Sequence, residues 1–175
     1  MSRALRFAPL ALMLLLIAAL VWRLATPPDT NVHSTLQGRP VPVFDLNAAL
    51  PTKPGLASTD LATGQPRLLN IFASWCVPCV AEVKVLQQLK RRGVPIDGIA
   101  VRDRPEDLTD FLARNGDPYE RIGSDLQSQV QIDLGSSGVP ESFIIDGKGV
   151  IRYQHIGAIE QEDLPLIMSK LEQAR

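Results

Sequence analysis

The two cysteines of the chain, Cys76 and Cys79, stand three residues apart in Trp75-Cys76-Val77-Pro78-Cys79. An apolar run with the character of a buried strand, Arg67 to Ala73, precedes them. Helical spacing at Val80, Val83, Leu86 and Leu89 follows, up to the helix stop Gly93. A cysteine at a helix start meets unpaired amides and the positive end of the helix dipole, and both favour its thiolate. Cys79 falls one turn further on and on the same side, so its sulfur can reach Cys76 while lying further from solvent. These positions suit Cys76 as a nucleophile toward a disulfide and Cys79 as the thiol that resolves the mixed disulfide. Pro78 falls in the first turn, where a missing N–H costs least. The alternatives are two unrelated buried cysteines, a structural bridge without turnover, and half of a metal site. A c-type haem attachment site needs histidine directly after the second cysteine, where Val80 stands. A four-ligand zinc site would have to recruit His33 and His155 from opposite sides of the pair. The strand–turn–helix context favours a redox pair. No metal and no organic cofactor is expected, the redox group being the Cys76–Cys79 disulfide itself.

The elements that must position this pair follow from composition and periodicity. The chain has 175 residues, 45% hydrophobic and 21% charged, with a formal net charge of −1. That balance argues against disorder and, with no basic stripe, against nucleic-acid binding. Residues Phe7 to Trp22 carry no charge, Arg3 and Arg6 precede them, and no Asp or Glu occurs before Asp29. Extended to Ala25, the run can just span a bilayer core, which needs about 17 to 25 apolar residues. A cleaved signal peptide is the alternative. It is disfavoured because the best small-residue site, near Ala18-Ala19, lies inside the apolar run. The basic residues before the run place the bulk of the chain outside the cytoplasm. The expected organisation is a membrane anchor over 1–25, a polar linker over 26–37 and one domain over 38–175.

Within that domain, short apolar runs alternate with helical stretches, which gives α/β architecture. Strands are expected over Pro42–Leu46 at an edge, Arg67–Ala73, Ile96–Val101 and near Tyr119–Ile122. A hairpin is expected from Ser142–Asp146 and Val150–His155 around Gly147-Lys148-Gly149. Helices are expected over Val77–Arg92, Pro105–Asn115, near Leu126–Ile132 and over Glu160–Gln173. The last has Leu164, Ile167, Met168 and Leu171 on one face.

Trp-Cys-x-x-Cys after a buried strand resembles the thioredoxin superfamily. The resemblance implies a central mixed sheet flanked by helices, with a cis-proline facing the cysteines. Val139-Pro140, just before the strand from Ser142, matches that proline. The 61 residues from Cys79 to Pro140 exceed a minimal thioredoxin and suggest an inserted strand and helix. Several stretches narrow the likeness to the DsbE/CcmG family of membrane-anchored periplasmic thioredoxin-like proteins. They are Leu69 to Glu82, Gly116-Asp117-Pro118-Tyr119, Leu134 to Gly147, and Val150 to Tyr153 with His155-Ile156-Gly157. The likeness covers about Gly38 to Leu171. It implies a thiol-disulfide oxidoreductase acting as a reductant in cytochrome c maturation. Its partners would be apocytochrome c or the haem-ligation thioreductase, with a membrane electron donor of the DsbD/CcdA type. It implies a single-pass protein of the bacterial inner membrane with its C-terminal domain in the periplasm. Two places depart from pattern: Ser136-Ser137 stand where bulkier residues are common, and Asn70 stands where thioredoxin itself carries a buried acid.

Glu82, one turn beyond Cys79, and Glu141, directly after Pro140, add a physical reason for the reducing direction. Nearby carboxylates disfavour a thiolate, and a less stable dithiol form is a better reductant. One of them could also take the Cys79 proton. The alternative is that both are ordinary surface glutamates. Trp75 is expected to pack beside the cysteines and shield the edge of the site. His155 reads as structural or exposed. Asp117-Pro118-Tyr119 reads as a substrate-facing loop or a simple turn. A broader exported reductase, a disulfide-forming oxidase and a non-catalytic binding module are the competing functions.

Overall fold

The computed structural model describes residues 3–25 and 35–175. The chain divides into two units, Met1–Asn31 and Val32–Arg175. In the first, α1 (Arg3–Ala25) is helical for 23 residues, and Leu10, Leu15, Leu20 and Leu24 are among its exposed side chains. Among the described residues no helix is long and apolar enough to cross a membrane, so the spanning segment expected from the sequence is not shown by the structure. The expected linker, 26–37, lies outside the described residues except for its last three positions.

The second unit runs β1 (Asp45–Leu46), β2 (Leu56–Ala57), a 3-10 turn at Ser58–Leu61, β3 (Arg67–Phe72), α2 (Val77–Arg91), β4 (Ile96–Val101) and α3 (Pro105–Asn115). It continues with β5 (Ile122–Asp125), α4 (Gln129–Asp133), β6 (Glu141–Ile145), β7 (Ile151–Ile156), a 3-10 turn at Gln161–Asp163 and α5 (Leu164–Gln173). Five strands form one mixed sheet in the order β5-β4-β3-β6-β7. β3 pairs parallel with β4, and β4 with β5, while β3–β6 and β6–β7 are antiparallel. β5 and α4 lie between α3 and Pro140, and β5 takes the sheet edge beside β4.

Three expectations change. The segment 42–46 contributes only Asp45–Leu46, which pairs with β2 in a separate small sheet. Three prolines between positions 40 and 51 limit how long a ladder this segment can sustain. The strand expected near Tyr119 starts at Ile122 instead, because Tyr119 is buried by stacking on Phe72, with ring centroids 4.5 Å apart. Leu126 is exposed, and its helix starts only at Gln129.

Alternation along the strands divides the core between the two faces of the sheet. Leu68 and Phe72 of β3, Ile96 and Ala100 of β4 and Ile144 of β6 pack with Leu86 and Leu89 of α2 and Ile167 and Leu171 of α5. Leu69 and Ile71 of β3, Ile99 of β4 and Phe143 of β6 pack with Phe44, Leu61 and Val130. Each fully buried Leu, Ile or Phe contributes roughly 1.5–3 kcal/mol. Asn70, between Leu69 and Ile71, must therefore face α2, which brings a buried polar residue beneath the cysteine-bearing helix. The buried residues of α2 are Cys79, Glu82, Val83, Val85, Leu86 and Leu89. Val80, read from the sequence as part of the buried stripe, is 41% exposed.

Candidate active site

β3 delivers the chain into a turn closed by the Cys76 N–H donating to the Ala73 carbonyl at 3.3 Å. Cys76 then serves as the N-cap of α2, its Sγ accepting the Cys79 N–H at 3.2 Å. Pro78 lies in the first turn, as expected. Cys76 and Cys79 are joined by a disulfide with their Cα atoms 5.3 Å apart. Both residues are buried, Cys76 being 4% exposed and Cys79 1%.

The antiparallel register Ile71↔Glu141 brings Pro140 alongside Phe72, at the mouth of the turn. The Val139–Pro140 peptide is cis. Val139 packs against the core cluster that contains both cysteines. Trp75, 58% exposed, does not bury its ring over the pair. It lines a surface groove of about 450 Å³ with Ser74, Val80, Phe111, Asp110 and Arg114. Val77, on the other side of Cys76 in sequence, is 80% exposed.

Neither glutamate is a surface residue: Glu82 is 1% exposed and Glu141 fully buried. Glu82 accepts from Asn70 Nδ2 at 3.0 Å and from the Ile159 N–H at 3.1 Å. Burial outweighs these two neutral donors and pushes its pKa up to about 7. Glu82 thus exchanges a proton near neutral pH and is not a fixed negative charge. Glu141 is differently housed. It accepts from Ser136 Oγ and the Ser137 N–H, both at 2.9 Å, from Ser137 Oγ at 3.3 Å, and from Gln154 Nε2. The two serines that depart from the family pattern thus tie the loop before Pro140 to the carboxylate that follows it.

The sequence reading passed over a polar network beneath the pair. Asn70 Nδ2 also donates to Ser142 Oγ at 3.0 Å, and the Tyr119 hydroxyl donates to Asn70 Oδ1 at 2.8 Å. Tyr119 is therefore a buried support and not part of a substrate-facing loop. Asp117 closes a turn by accepting the Tyr119 N–H at 3.0 Å and pairs with Lys53 at 2.6 Å. The signal for the network was the position of Asn70 in an otherwise apolar strand. His155 is structural, its Nε2 lying 3.2 Å from the Ala158 carbonyl oxygen. Among the described residues no cluster of three or more His, Cys, Asp or Glu could hold a metal ion.

Comparison with known proteins bears on this geometry. The Redoxin family profile matches residues 36–171. A thiol:disulfide interchange protein DsbE of Tatumella citrea is 39% identical over 166 residues, covering 93% of this chain and 90% of the relative. The DsbE of Escherichia coli K12 is 38% identical over 177 residues, covering 95% of each chain. Among solved structures, a Chlorobium tepidum chain proposed to be a DsbE superposes with a TM-score of 0.60 at 27% identity. It covers 79% of this chain and 96% of its own.

Proposed function

The chain belongs to the Redoxin family and, within it, to the DsbE thiol:disulfide interchange proteins, and from that premise we propose how it works. It is a thiol-disulfide oxidoreductase that acts as a periplasmic reductant in cytochrome c maturation. The observation that carries the reading is the Cys76–Cys79 disulfide at the start of α2, at the mouth of which lies the cis Val139–Pro140 peptide. In the dithiol form, the Cys76 thiolate attacks a substrate disulfide, forms a mixed disulfide and releases one substrate thiolate. Helix-start amides, the Cys79 N–H foremost, favour that thiolate. The Cys79 thiolate then attacks Cys76 Sγ, releases the second substrate thiol and leaves the Cys76–Cys79 disulfide. Two electrons pass to the substrate, and a membrane donor of the DsbD/CcdA type returns them.

Glu82, titrating near 7 one turn from Cys79, takes the Cys79 proton as that sulfur attacks. Pro140 and the Val139 backbone present an edge to the substrate chain, and Glu141 holds the loop that carries them. Trp75 and Pro78 frame the exposed side of Cys76. The substrate thiols are those of apocytochrome c, or of the thioreductase that serves it. The uncharged run Phe7 to Trp22, preceded by Arg3 and Arg6, supports a single-pass inner-membrane anchor over 1–25, a linker over 26–37 and a periplasmic domain over 38–175.

The test is Cys79→Ala at native expression level. Without its resolving thiol, Cys76 stays joined to its substrate, and non-reducing gels with mass spectrometry identify the adducts. Apocytochrome c or a haem-ligation thioreductase is the expected partner. A broad set of exported proteins would replace this reading with a general reductase. Absence of adducts with function intact would replace it with a binding module.

A further inference from the structure

Ser74, the first central residue of the turn that carries Cys76, is held by a single side chain from the loop after β4. Asp103, just past the end of β4 and 5% exposed, accepts the Ser74 N–H at 2.6 Å through Oδ2 and the Ser74 hydroxyl at 2.5 Å through Oδ1. One buried carboxylate thus takes both donors of one residue, two positions before the nucleophile. The backbone is bent to aim it. Arg102, a non-glycine residue, has φ 49°, in the left-handed region that side chains disfavour. The Arg102 N–H is tied to the Asp125 carbonyl at 3.1 Å. The Asp125 carboxylate in turn accepts the N–H groups of Gln129 and Gln131 at the start of α4. The strand–helix insertion therefore backs the loop that carries Asp103.

We propose that Asp103 is a positioning residue for Cys76, clamping the Ala73–Cys76 turn so that the attacking sulfur stays aligned with the Val139–Pro140 edge. The inference rests on the exchange reading above. In the oxidised pair, the disulfide itself ties Cys76 to α2. In the dithiol that tie is gone, and the Asp103–Ser74 clamp remains to hold the turn beside the Cys76 N–H bond to Ala73 and the Cys79 N–H. The clamp therefore matters most in the state that attacks substrate, where small misplacements of reacting atoms are costly in rate.

The test uses the full chain in detergent, reduced, at pH 7, with two probes. A peptide containing one intramolecular disulfide reports aligned exchange, and iodoacetamide reports only the reactivity and access of the Cys76 thiolate. Asp103→Ala is expected to slow peptide exchange about tenfold while alkylation stays within about twofold. Ser74→Ala, which keeps the backbone N–H bond, is expected to slow exchange about threefold and to add nothing to Asp103→Ala. If Asp103→Ala fails to fold, Asp103→Asn, which keeps one acceptor, is expected to show the same separation at about threefold. Exchange at the unmodified rate in these variants, or exchange and alkylation falling in parallel, would overturn the proposal. Failure of the unmodified chain to exchange with the peptide would instead count against the exchange reading itself.

Discussion

At the start of β3, Arg67 Nε lies 2.7 Å from Asp97 Oδ2, both side chains buried. The pair is close but out of hydrogen-bonding alignment, leaving both Asp97 oxygens without a hydrogen bond. Arg67 also donates to the Asp60 carbonyl at 2.6 Å and to Glu120 at 2.9 Å. Toward the far end of the same strand, Asn70 meets Glu82, whose carboxylate is held by two neutral N–H donors. Burial raises both acids, Asp97 to about 6 against the attraction of Arg67 and Glu82 to about 7 with no more than neutral bonds opposing it. At the cationic end the raised carboxyl faces the fixed charge of Arg67, which holds it as an ion pair above about pH 6. The cysteine end keeps a carboxyl group that changes charge near neutral pH. One strand therefore separates a structural use of buried charge from a chemical one.

The sharpest way to break that contrast is at the structural end. Arg67→Met leaves Asp97 buried without its cation and should cost about 3–5 kcal/mol in urea unfolding. Peptide-disulfide exchange by the folded protein should stay within about twofold. A large loss of exchange without loss of stability would mean that the two ends are not separate.

Glu82→Gln should act next most strongly, and through pH. Glu82 binds its proton more tightly folded than unfolded, so its contribution to stability is present below about pH 4.5 and is lost as pH rises to about 7. The loss is on the order of 3 kcal/mol for a shift of this size. Unfolding free energy measured across pH 4.5–7 should fall less steeply in Glu82→Gln than in the unmodified protein. Parallel slopes would show that Glu82 is not the titrating group.

Gly98→Ala tests the wall between the ends. A Cβ there would lie 2.8 Å from Phe72 Cε1 and 3.0 Å from Tyr119 Cδ1, inside the aromatic stack. Overpacking of this kind costs about 1–3 kcal/mol, read as a lower urea midpoint. Tyr119→Phe should have the smallest effect, about 1–2 kcal/mol, by leaving Asn70 Oδ1 without its hydroxyl donor. Tyr119→Phe removes only a hydroxyl facing Asn70, so its double variant with Arg67→Met should be additive within about 0.5 kcal/mol, whereas Gly98 adjoins Asp97 on β4 and its double variant should depart from additivity.

Much of this arrangement could be read from local pattern. Cys76 and Cys79 announce themselves by spacing after an apolar strand, and Pro105–Asn115 is bounded by its own proline and by Asn115-Gly116. Pro140 was legible only through family likeness, since an isolated X-Pro gives no sign of its isomer. What failed to show was the partner of each buried polar residue. Glu82 lies on the same helical stripe as Cys79 and Leu86, so its burial was implied by periodicity, but Ile159 is 77 residues away and no local rule links them. Asp103 falls in a charged stretch, Arg102-Asp103-Arg104, that reads as solvated loop, and only the fold places Ser74 against it. Tyr119 looked like a strand residue because it is apolar enough for one. Its burial is satisfied by Phe72 and Asn70 instead.

The central claim is that the Cys76–Cys79 pair donates electrons. It is tested most directly by equilibrating the full chain in glutathione redox buffers and measuring the fraction of disulfide. A reductant is expected to have a potential well below the roughly −120 mV of strong disulfide-forming oxidants, with Glu82→Gln shifting the equilibrium measurably near pH 7. A potential at or above that value would make the pair an oxidant and contradict the account.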